Sequence, residues 1–381
     1  MRFVMPVIAL LAAVLSPALN AAPDLVPAPP QLPATSWLLI DHDSGRVLVE
    51  HEADARVEPA SITKIMTVYV AFNALRNDSI NLDDEVRISK NARYKHTEGS
   101  RMFVEYNSLV SVEELLRGII VQSGNDASIA LAEHIAGSEE SFVTLMNRYA
   151  QALGMDNTHF TNSTGWPNEN HYTTAADLAK LTRALINDFP KKYAMFAEKR
   201  FTHNGIQQSN RNRLLWLDDR VDGIKTGHTE SAGYCLVSSA VNDEMRLIAV
   251  VMGADSESQR DEASRKLLNY GFRFYETFQL YEANELLTEM RIWKGEQEVL
   301  PLGLETPLFV TIPRGQRDDV KANMKVDSMI MAPAKKGQEY GTVNVMLGEE
   351  VLASEPLVAL RDVKEGSIWR KLVDNIKLMF K

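Results

Sequence analysis

The chain has 381 residues, of which 45% are hydrophobic and 24% are charged. These proportions are ordinary for globular proteins, so disorder as the dominant state is excluded, and the length allows two domains with separate cores. The formal net charge of −10 gives no general attraction to polyanions, so we expect no nucleic-acid partner.

The N-terminal segment has the pattern of a secretory signal peptide. Arg2 precedes an apolar run from Phe3 to Leu15, and small residues follow up to Ala21-Ala22. The run is shorter than the roughly 20 residues that cross a bilayer, which argues against the alternative of a transmembrane anchor. We therefore predict that residues 1–22 are cleaved and that the mature protein is secreted.

The early part of the mature chain predicts a strand hairpin followed by helices. Strand-like runs at Ser36–Asp41 and Arg46–His51 flank a turn at 42–45. Apolar residues after Pro59 recur at spacings close to 3.6, which predicts a deeply buried helix with Ser61 at its N-terminal end.

Further helices follow in the middle of the chain. A capping box at Ser111 and Glu114 begins one that ends near Gln122, and another begins beyond Asn125. Ser123 and Asn125 are therefore expected in a short connection, where side chains can face a cleft. More helices are predicted at about 139–153 and 175–186.

The pattern then becomes β-like over residues 223–253. The runs Tyr234–Ala240 and Met245–Val251 flank a polar turn and predict an antiparallel hairpin, and a helix at about 258–278 closes the domain. We predict that residues 23–279 form an α/β or α+β domain in which helices lie between strands of an antiparallel sheet.

The remainder divides into two segments. Short β runs separated by glycine-containing turns predict a small all-β sandwich over 280–362, a spacer or interaction module. Residues 363–381 predict an amphipathic helix with Trp369 and Phe380 on its apolar face. The segment from Lys364 to Lys381 has five basic and two acidic residues, which favours an anionic membrane surface over docking on the protein itself.

Cysteine and histidine give no metal site. Cys235 is the single cysteine, so neither an intramolecular disulfide nor a cysteine-based metal site can form, and its apolar neighbours favour a buried, inert side chain. The eight histidines have no metal-binding spacing.

The candidate chemistry begins with Ser61-Ile62-Thr63-Lys64. A serine hydroxyl is a weak nucleophile unless a base lies within hydrogen-bonding reach. Residues three apart share one face of a helix, so the Lys64 amine can stand beside Ser61, and burial can lower the pKa of the amine until it accepts a proton. By composition alone, about one Ser-X-X-Lys match is expected in a chain of this length.

Two further motifs follow Ser61 and Lys64 in the chain. Ser-X-Asn occurs at Ser123-Gly124-Asn125 and, in what is predicted to be only a loop, at Ser79-Ile80-Asn81. Lys225-Thr226-Gly227 has roughly a one in ten chance of occurring by composition. On a strand edge, Lys225 would add positive potential, Thr226 would bind a substrate carboxylate, and Gly227 would let substrate approach the strand. The alternative is a turn before a strand.

The three motifs in this order resemble those of the penicillin-recognising serine enzymes, a set known from β-lactamases and penicillin-binding proteins. The flanking sequences Gln122-Ser123-Gly124-Asn125-Asp126-Ala127, Arg211-Asn212-Arg213-Leu214-Leu215-Trp216, Val221 to Thr229, and Thr311-Ile312-Pro313-Arg314-Gly315-Gln316 resemble the D-alanyl-D-alanine carboxypeptidase family that includes penicillin-binding protein 5. The resemblance covers nearly the whole chain.

The resemblance implies a serine β-lactamase/transpeptidase-like fold with a helical subdomain, and an acyl-enzyme mechanism. Lys64 would take the Ser61 proton, Ser123 would relay a proton to the departing D-alanine, and backbone N–H groups of Ser61 and His228 would form the oxyanion hole. Asn125, Lys225, Thr226 and Gly227 would bind substrate. Peptidoglycan stem peptides and β-lactams are the expected partners, with no metal or organic cofactor, a role in cell-wall biogenesis and cell shape, and a periplasmic location at the inner membrane. We also expect a homodimer as one oligomeric state.

Several alternatives stay open at this point. Arg211, with Arg260 as a weaker candidate, would orient Lys225 or the substrate carboxylate, although a structural salt bridge is an equal alternative for either arginine. A β-lactamase would need a water-activating glutamate, for which the chain offers only Glu169, without the Glu-X-X-Leu-Asn context. A membrane-tethered binding protein without activity is the third alternative.

Overall fold

The computed structural model describes residues 26–96 and 98–380, so the predicted signal peptide lies outside the described residues. The elements up to residue 274 are, in chain order, β1 Ser36–Asp41, β2 Val47–His51, α1 Lys64–Arg76, β3 Glu85–Arg87, α2 Lys90–Tyr94, β4 Leu109–Ser111, α3 Val112–Arg117, α4 Asn125–Ala136, α5 Glu139–Ala152, α6 Ala175–Asp188, α7 Pro190–Tyr193, β5 Arg200–His203, β6 Ile206–Ser209, α8 Leu214–Leu217, β7 Val221–Thr229, β8 Gly233–Asn242, β9 Met245–Ala254 and α9 Glu257–Phe274.

An antiparallel sheet in the order β2-β1-β9-β8-β7 organises this part of the chain. Alternate residues of β9 enter different cores because side chains alternate across a strand. Ile248 and Val250 pack with helices α1, α4 and α6. Leu247 and Val251 pack with α9 on the opposite face. The predicted α/β architecture with helices between the strands is confirmed, and β7 is left at the sheet edge.

The second part of the chain is mostly β-structure. Its elements are β10 Tyr275–Tyr281, β11 Thr288–Trp293, β12 Val299–Gly303, β13 Leu308–Pro313, β14 Val320–Val326, β15 Ile330–Met331, β16 Glu339–Leu347, β17 Glu350–Ala359 and α10 Ile368–Leu378. One sheet has the order β14-β16-β17-β12-β11-β15, and β10 pairs with β13. The two share one apolar cluster, to which Phe278, Val310, Val343 and Leu357 contribute. This confirms the predicted small β-domain.

The predicted helix at 258–278 is too long. Helix α9 ends at Phe274, and the next residues form β10, which pairs in register with β13 from Tyr275 opposite Pro313. The aromatic and β-branched residues here suit a strand, and the distant β13 supplies its hydrogen-bond partner. Strand β10 crosses residue 279, and the predicted domain boundary there stays a prediction.

A buried hydrogen-bond cluster joins the two parts of the chain. Asp41 is fully buried and accepts hydrogen bonds from Ser44 Oγ (2.8 Å) and Thr277 Oγ1 (2.7 Å). Thr277 and Thr311 hydroxyls are 2.8 Å apart, and Arg46 donates to the Thr311 carbonyl at 2.8 Å. Because the buried Asp41 carboxylate accepts from both Ser44 and Thr277, the cluster fixes how the first part of the chain packs on the β-domain.

Candidate active site

Ser61 lies in a 3-10 turn, Ala60–Thr63, that leads directly into α1. The predicted helix therefore begins as a tighter turn, and Lys64 is the first α-helical residue. Lys64 is completely buried, and its Nζ lies 2.9 Å from Ser61 Oγ. The spacing of three residues brings nucleophile and amine together as the sequence predicted.

Lys64 has two more polar contacts. Its Nζ donates to Asn125 Oδ1 at 2.8 Å and to the Thr164 carbonyl at 2.5 Å. Burial lowers the pKa of Lys64 to about 7, with Asp126 acting to raise it and Arg211 to lower it. A neutral amine has two hydrogens for Asn125 and Thr164 and one lone pair for the Ser61 proton. The site therefore supplies a base that works near neutral pH.

Ser123 and Asn125 lie beside this pair. Ser123 adopts a left-handed backbone conformation (φ 67°) after a π-helical turn, Gly118–Gln122, that continues α3. Its Oγ is buried and has no hydrogen-bond partner among the described residues. Asn125 is the first residue of α4, not part of the connection before it as expected. A buried hydroxyl without a partner is free to exchange a proton with a bound group.

The Lys225-Thr226-Gly227 motif lies on the edge strand β7, which confirms the strand and excludes the turn. Lys225 is buried and donates to the Thr226 carbonyl at 3.1 Å. Burial, followed by the charges of Lys64, Arg211 and Arg260, holds the pKa of Lys225 well below its usual range.

Gly227 has a role that the sequence did not indicate. A Cβ at this position would lie 2.9 Å from the Pro59 carbonyl oxygen and 3.1 Å from the Ile62 nitrogen. Contacts this short exclude a larger side chain, so glycine lets β7 lie directly against the turn that carries Ser61. The sequence predicted that the missing side chain of Gly227 leaves room for the substrate backbone. In the structure, the position of the missing Cβ instead faces the protein's own Ser61 turn.

Two cavities open onto Ser61, with volumes of about 840 Å³ and 220 Å³. Ser61, Ser100, Arg211 and His228 line both. The larger is also lined by Glu98, Gly99, Asn125, Thr164, Gly165, Trp166, Pro167, Thr229, Glu230 and Ser231. The smaller is also lined by Ser123, Thr226, Gly227, Tyr234, Glu257 and Arg260. The structure therefore gathers residues from all three motifs around Ser61, with Lys64 and Lys225 buried behind the cavity walls.

The two candidate arginines differ in their surroundings. Arg260 is buried and forms an ion pair with Asp261 at 2.8 Å, which is the structural salt bridge that the sequence left open. Arg260 also lines the smaller cavity, so a role in substrate binding is compatible with that ion pair. Arg211 is exposed and its Nε donates to the Gln122 carbonyl at 3.3 Å. Neither guanidinium hydrogen-bonds Lys225. Both add positive potential around it.

The side chains of His228 and Cys235 make no hydrogen bond to Ser61, Lys64 or Lys225 in the described part of the chain. The His228 ring is exposed and stacks on Tyr234 with ring centroids 4.0 Å apart. Cys235 is buried, as predicted, and burial raises the pKa of its thiol to about 11.

Sequence reasoning missed the loop at 161–171. It supplies the Thr164 carbonyl to Lys64, and Asn162 Oδ1 accepts from the N–H groups of Gly165 (2.7 Å) and Trp166 (3.0 Å). A Cβ on Gly165 would lie 1.7 Å from the Ala60 carbonyl oxygen, so the loop packs against the Ser61 turn. The residue types of Asn162-Ser163-Thr164-Gly165 are typical of a turn, but they do not indicate that the turn packs against Ser61.

Glu169 lies on the same loop but not in the site. Its side chain is exposed, and it lines neither cavity. Within residues 26–96 and 98–380, no group of three or more histidine, cysteine or acidic side chains is arranged to hold a metal ion.

Comparison with known families gives two matches that together span most of the chain. A D-alanyl-D-alanine carboxypeptidase family profile matches residues 24–256. A second profile, the C-terminal domain of penicillin-binding protein 5, matches residues 275–365.

Individual proteins show the same similarity. The chain is 43% identical to D-alanyl-D-alanine carboxypeptidase DacA of Escherichia coli over 93% of this chain and 90% of that protein. It resembles the crystal structure of penicillin-binding protein 5 from Haemophilus influenzae with a TM-score of 0.85 and 43% identity, over 89% of this chain and 99% of that one. Ampicillin-bound penicillin-binding protein D2 of Listeria monocytogenes matches 65% of this chain and 100% of its own, with a TM-score of 0.59 and 26% identity.

Proposed function

The chain belongs to the peptidase S11 family of D-alanyl-D-alanine carboxypeptidases, and from that premise we propose that it removes the terminal D-alanine of peptidoglycan stem pentapeptides through an acyl-enzyme on Ser61. The observation that carries the proposal is the 2.9 Å contact between Ser61 Oγ and the buried Lys64 amine. The consequence for the cell is a role in cell-wall biogenesis and cell shape.

Acylation needs one base and one acid. Neutral Lys64 takes the Ser61 proton as Oγ attacks the carbonyl carbon of the penultimate D-alanine, and the carbonyl electrons move to its oxygen. The tetrahedral intermediate collapses, the peptide C–N bond breaks, and the departing amine needs a proton. Ser123 relays it, because its buried hydroxyl has no hydrogen-bond partner within residues 26–96 and 98–380 and Ser123 lines the same cavity as Ser61. Water then hydrolyses the ester and regenerates Ser61.

Charge stabilisation comes from two places. The N–H groups of Ser61 and His228 form the oxyanion hole, a placement supported by Gly227, which lets β7 lie against the Ser61 turn. The substrate carboxylate binds in the smaller cavity to Thr226 and Arg260, with Arg211 at its rim. Lys225 is held beside them and adds to the positive potential whenever it is protonated. Asn125 orients the Lys64 amine through its Oδ1.

A β-lactamase is the nearest alternative and a binding protein without activity is the other. The exposed Glu169 gives no support to rapid deacylation, since it lines neither cavity. The Ser61 to Lys64 contact gives no support to an inactive protein. Penicillin should therefore acylate Ser61, and hydrolysis of that acyl-enzyme should be slow.

Release of D-alanine from a peptide ending in Lys-D-Ala-D-Ala tests this proposal. We expect the mature protein to release one D-alanine from each peptide over many turnovers, and to form a penicillin adduct that outlives the peptide acyl-enzyme by about 10³-fold or more. Penicillin hydrolysis at many turnovers without D-alanine release would indicate a β-lactamase. Stable labelling without peptide turnover would indicate a binding protein.

For location, we propose that residues 1–22 are removed on export and that α10 holds the mature enzyme on the periplasmic face of the inner membrane. In the part of the chain that the structure describes, no helix is long and apolar enough to span a bilayer. The apolar residues of α10 and the residues after it are strongly exposed, with Ile368 at 85% and Phe380 at 88%. Such a face suits shallow insertion into a lipid surface.

The polar face of α10 contacts the β-domain. Asp374 is buried and accepts from the Lys294 N–H at 2.6 Å, and Arg370 pairs with Glu298 at 3.0 Å. The helix is therefore docked by its polar side, which leaves the apolar side for lipid. The two alternatives from the sequence, docking and membrane binding, are compatible for this reason. A homodimer stays a prediction, which sedimentation velocity would test.

Truncation before Ser367 is expected to free the protein from membranes and leave D-alanine release unchanged, because the cavities lie in the first domain. The measurement is co-sedimentation with vesicles that contain anionic lipid. Trp369→Ser should weaken binding by roughly tenfold. The control is Leu286→Ser, which changes another exposed apolar residue outside the tail and should bind as wild type. Continued sedimentation of the truncated protein would contradict the proposal.

A further inference from the structure

Glu139 is a buried carboxylate that the mechanism above does not use. It is the first residue of α5 and only 4% exposed. One oxygen accepts from the Ser163 N–H (3.0 Å) and the Ser163 hydroxyl (2.7 Å), and the other pairs with Lys95 Nζ at 2.6 Å. Burial raises the pKa of Glu139, but the hydrogen bonds from Lys95 and Ser163 outweigh it and hold the pKa below its usual value. Glu139 is therefore an anion with three donors.

The contact between Glu139 and Ser163 connects Glu139 to Lys64, the proposed base. Ser163 precedes Thr164, whose carbonyl accepts from Lys64 Nζ at 2.5 Å. Ser163 is fully buried, and its own carbonyl accepts from Thr67 Oγ1 at 2.7 Å. With its N–H and Oγ on Glu139 and its C=O on α1, Ser163 cannot rotate without breaking buried hydrogen bonds. The direction of the Thr164 carbonyl follows from this clamp.

The contact between Glu139 and Lys95 connects Glu139 to the segment that forms one wall of the larger cavity. Lys95 directly follows α2, and the next residue, His96, stacks on Trp166 with ring centroids 4.3 Å apart. Glu98, Gly99 and Ser100, which line the larger cavity, follow shortly after. The Lys95 ion pair and the His96–Trp166 stack therefore attach this wall to α5 and to the loop at 161–171.

We propose that Glu139 is a positioning residue that holds the Thr164 carbonyl against Lys64 through Ser163 and holds the wall of the larger cavity through Lys95. The two contacts have separable effects. The Ser163 contact governs acylation, because it fixes the base. The Lys95 contact governs binding of the peptide substrate, because it fixes the wall of the larger cavity, whose volume of about 840 Å³ leaves room for a ligand longer than penicillin. The proposal rests on the role of Lys64 given under the proposed function.

The pH dependence of acylation reports the Ser163 contact. When the loop is held, burial keeps the pKa of Lys64 at about 7. A loosened loop admits water to the amine, so the pKa rises toward its ordinary value and the base is protonated over a wider range. Five other titratable or charged residues interact with Lys64, and the variants below leave all five in place: Asp126 on α4, Arg211, Lys225, His96 and His171. The Lys64 charge acts to lower the pKa of both histidines, and Glu139 and Lys95 also act on His96. Glu139 contacts Ser163, not the amine.

Four variants separate the two contacts, with penicillin labelling rate followed between about pH 5 and 10. Glu139→Ala should label roughly 10- to 100-fold more slowly, with the midpoint of the pH profile moved upward. Glu139→Gln keeps an acceptor for Ser163 and should stay within about threefold of wild type, with an unchanged midpoint. Ser163→Ala, which keeps the backbone contact, should move the midpoint upward by less than Glu139→Ala.

Lys95→Ala tests the other contact. It should raise KM for the Lys-D-Ala-D-Ala peptide roughly three- to tenfold and leave kcat and penicillin labelling near wild type. Should Glu139→Ala fail to fold, Ser163→Ala carries the test, since an unchanged rate and midpoint in that folded variant overturns the proposal. Wild-type labelling that does not fall below about pH 7 would instead refute the role of Lys64.

Discussion

Ser61→Ala is expected to abolish covalent penicillin labelling and to lower D-alanine release by at least about 10⁴-fold. Both reactions depend on one acyl bond to Ser61 Oγ, the hydroxyl that faces both cavities and contacts the buried Lys64 amine. Without the nucleophile, the only remaining contributions to catalysis are substrate binding and the oxyanion hole. The fold should persist, because the change removes one partly exposed hydroxyl and leaves the core unaltered.

Mass spectrometry of the intact protein with penicillin measures the adduct, and chromatography of released D-alanine measures turnover. Ser79→Ala is the matched control, since Ser79 belongs to the second Ser-X-Asn match but is exposed and lines neither cavity. It should behave as wild type. An adduct on Ser61→Ala would place the nucleophile elsewhere, with the hydroxyls of Ser100 and Ser123 as the next candidates in the smaller cavity.

Lys64→Arg is expected to lower the acylation rate by about 10³-fold or more at every pH, because a guanidinium keeps its proton and cannot act as base. In the wild type, burial lowers the pKa of Lys64 to about 7, so the amine is neutral above that pH and protonated below it. Acylation should therefore fall as pH falls through about 7. Stopped-flow labelling with penicillin across this range measures both effects.

Lys266→Arg controls for the substitution type, since Lys266 is an exposed residue of α9 that pairs with Glu262. It should leave rate and pH profile unchanged. Retention of a wild-type profile by folded Lys64→Arg would assign the base to Lys225. The pKa of that second amine is also lowered by burial, so it is the next buried amine that could accept the proton.

The sequence predicted much of the fold because local patterns controlled it. Apolar residues at spacings close to 3.6 located α1, and two β-like runs around a polar turn located the hairpin of β8 and β9. Short β runs separated by glycine-containing turns located the β-domain. The sequence prediction failed at residues 275–278, which were assigned to the end of a helix but form the start of β10. The strand there exists because β13, more than 30 residues away, supplies its hydrogen bonds. No local pattern contains that partner.

For the candidate site, the sequence alone determined the reactive groups and one distance. Helical spacing brings Lys64 to Ser61, and the resemblance of the three ordered motifs to the penicillin-recognising serine enzymes implied that Ser123, Asn125 and Lys225 lie near them. These are covalent and short-range facts: the residue types, their order, and the geometry of one helical turn.

The tertiary structure decided how these groups can react. The pKa of Lys64 depends on complete burial beneath segments that are distant in the chain, including the Thr164 carbonyl and the loop that Glu139 clamps. Gly227 matters because it lies against the Ser61 turn, and α10 exposes its apolar side because Asp374 is buried on the β-domain. Desolvation and close approach arise only when remote segments pack together, so no sequence motif encodes them by itself.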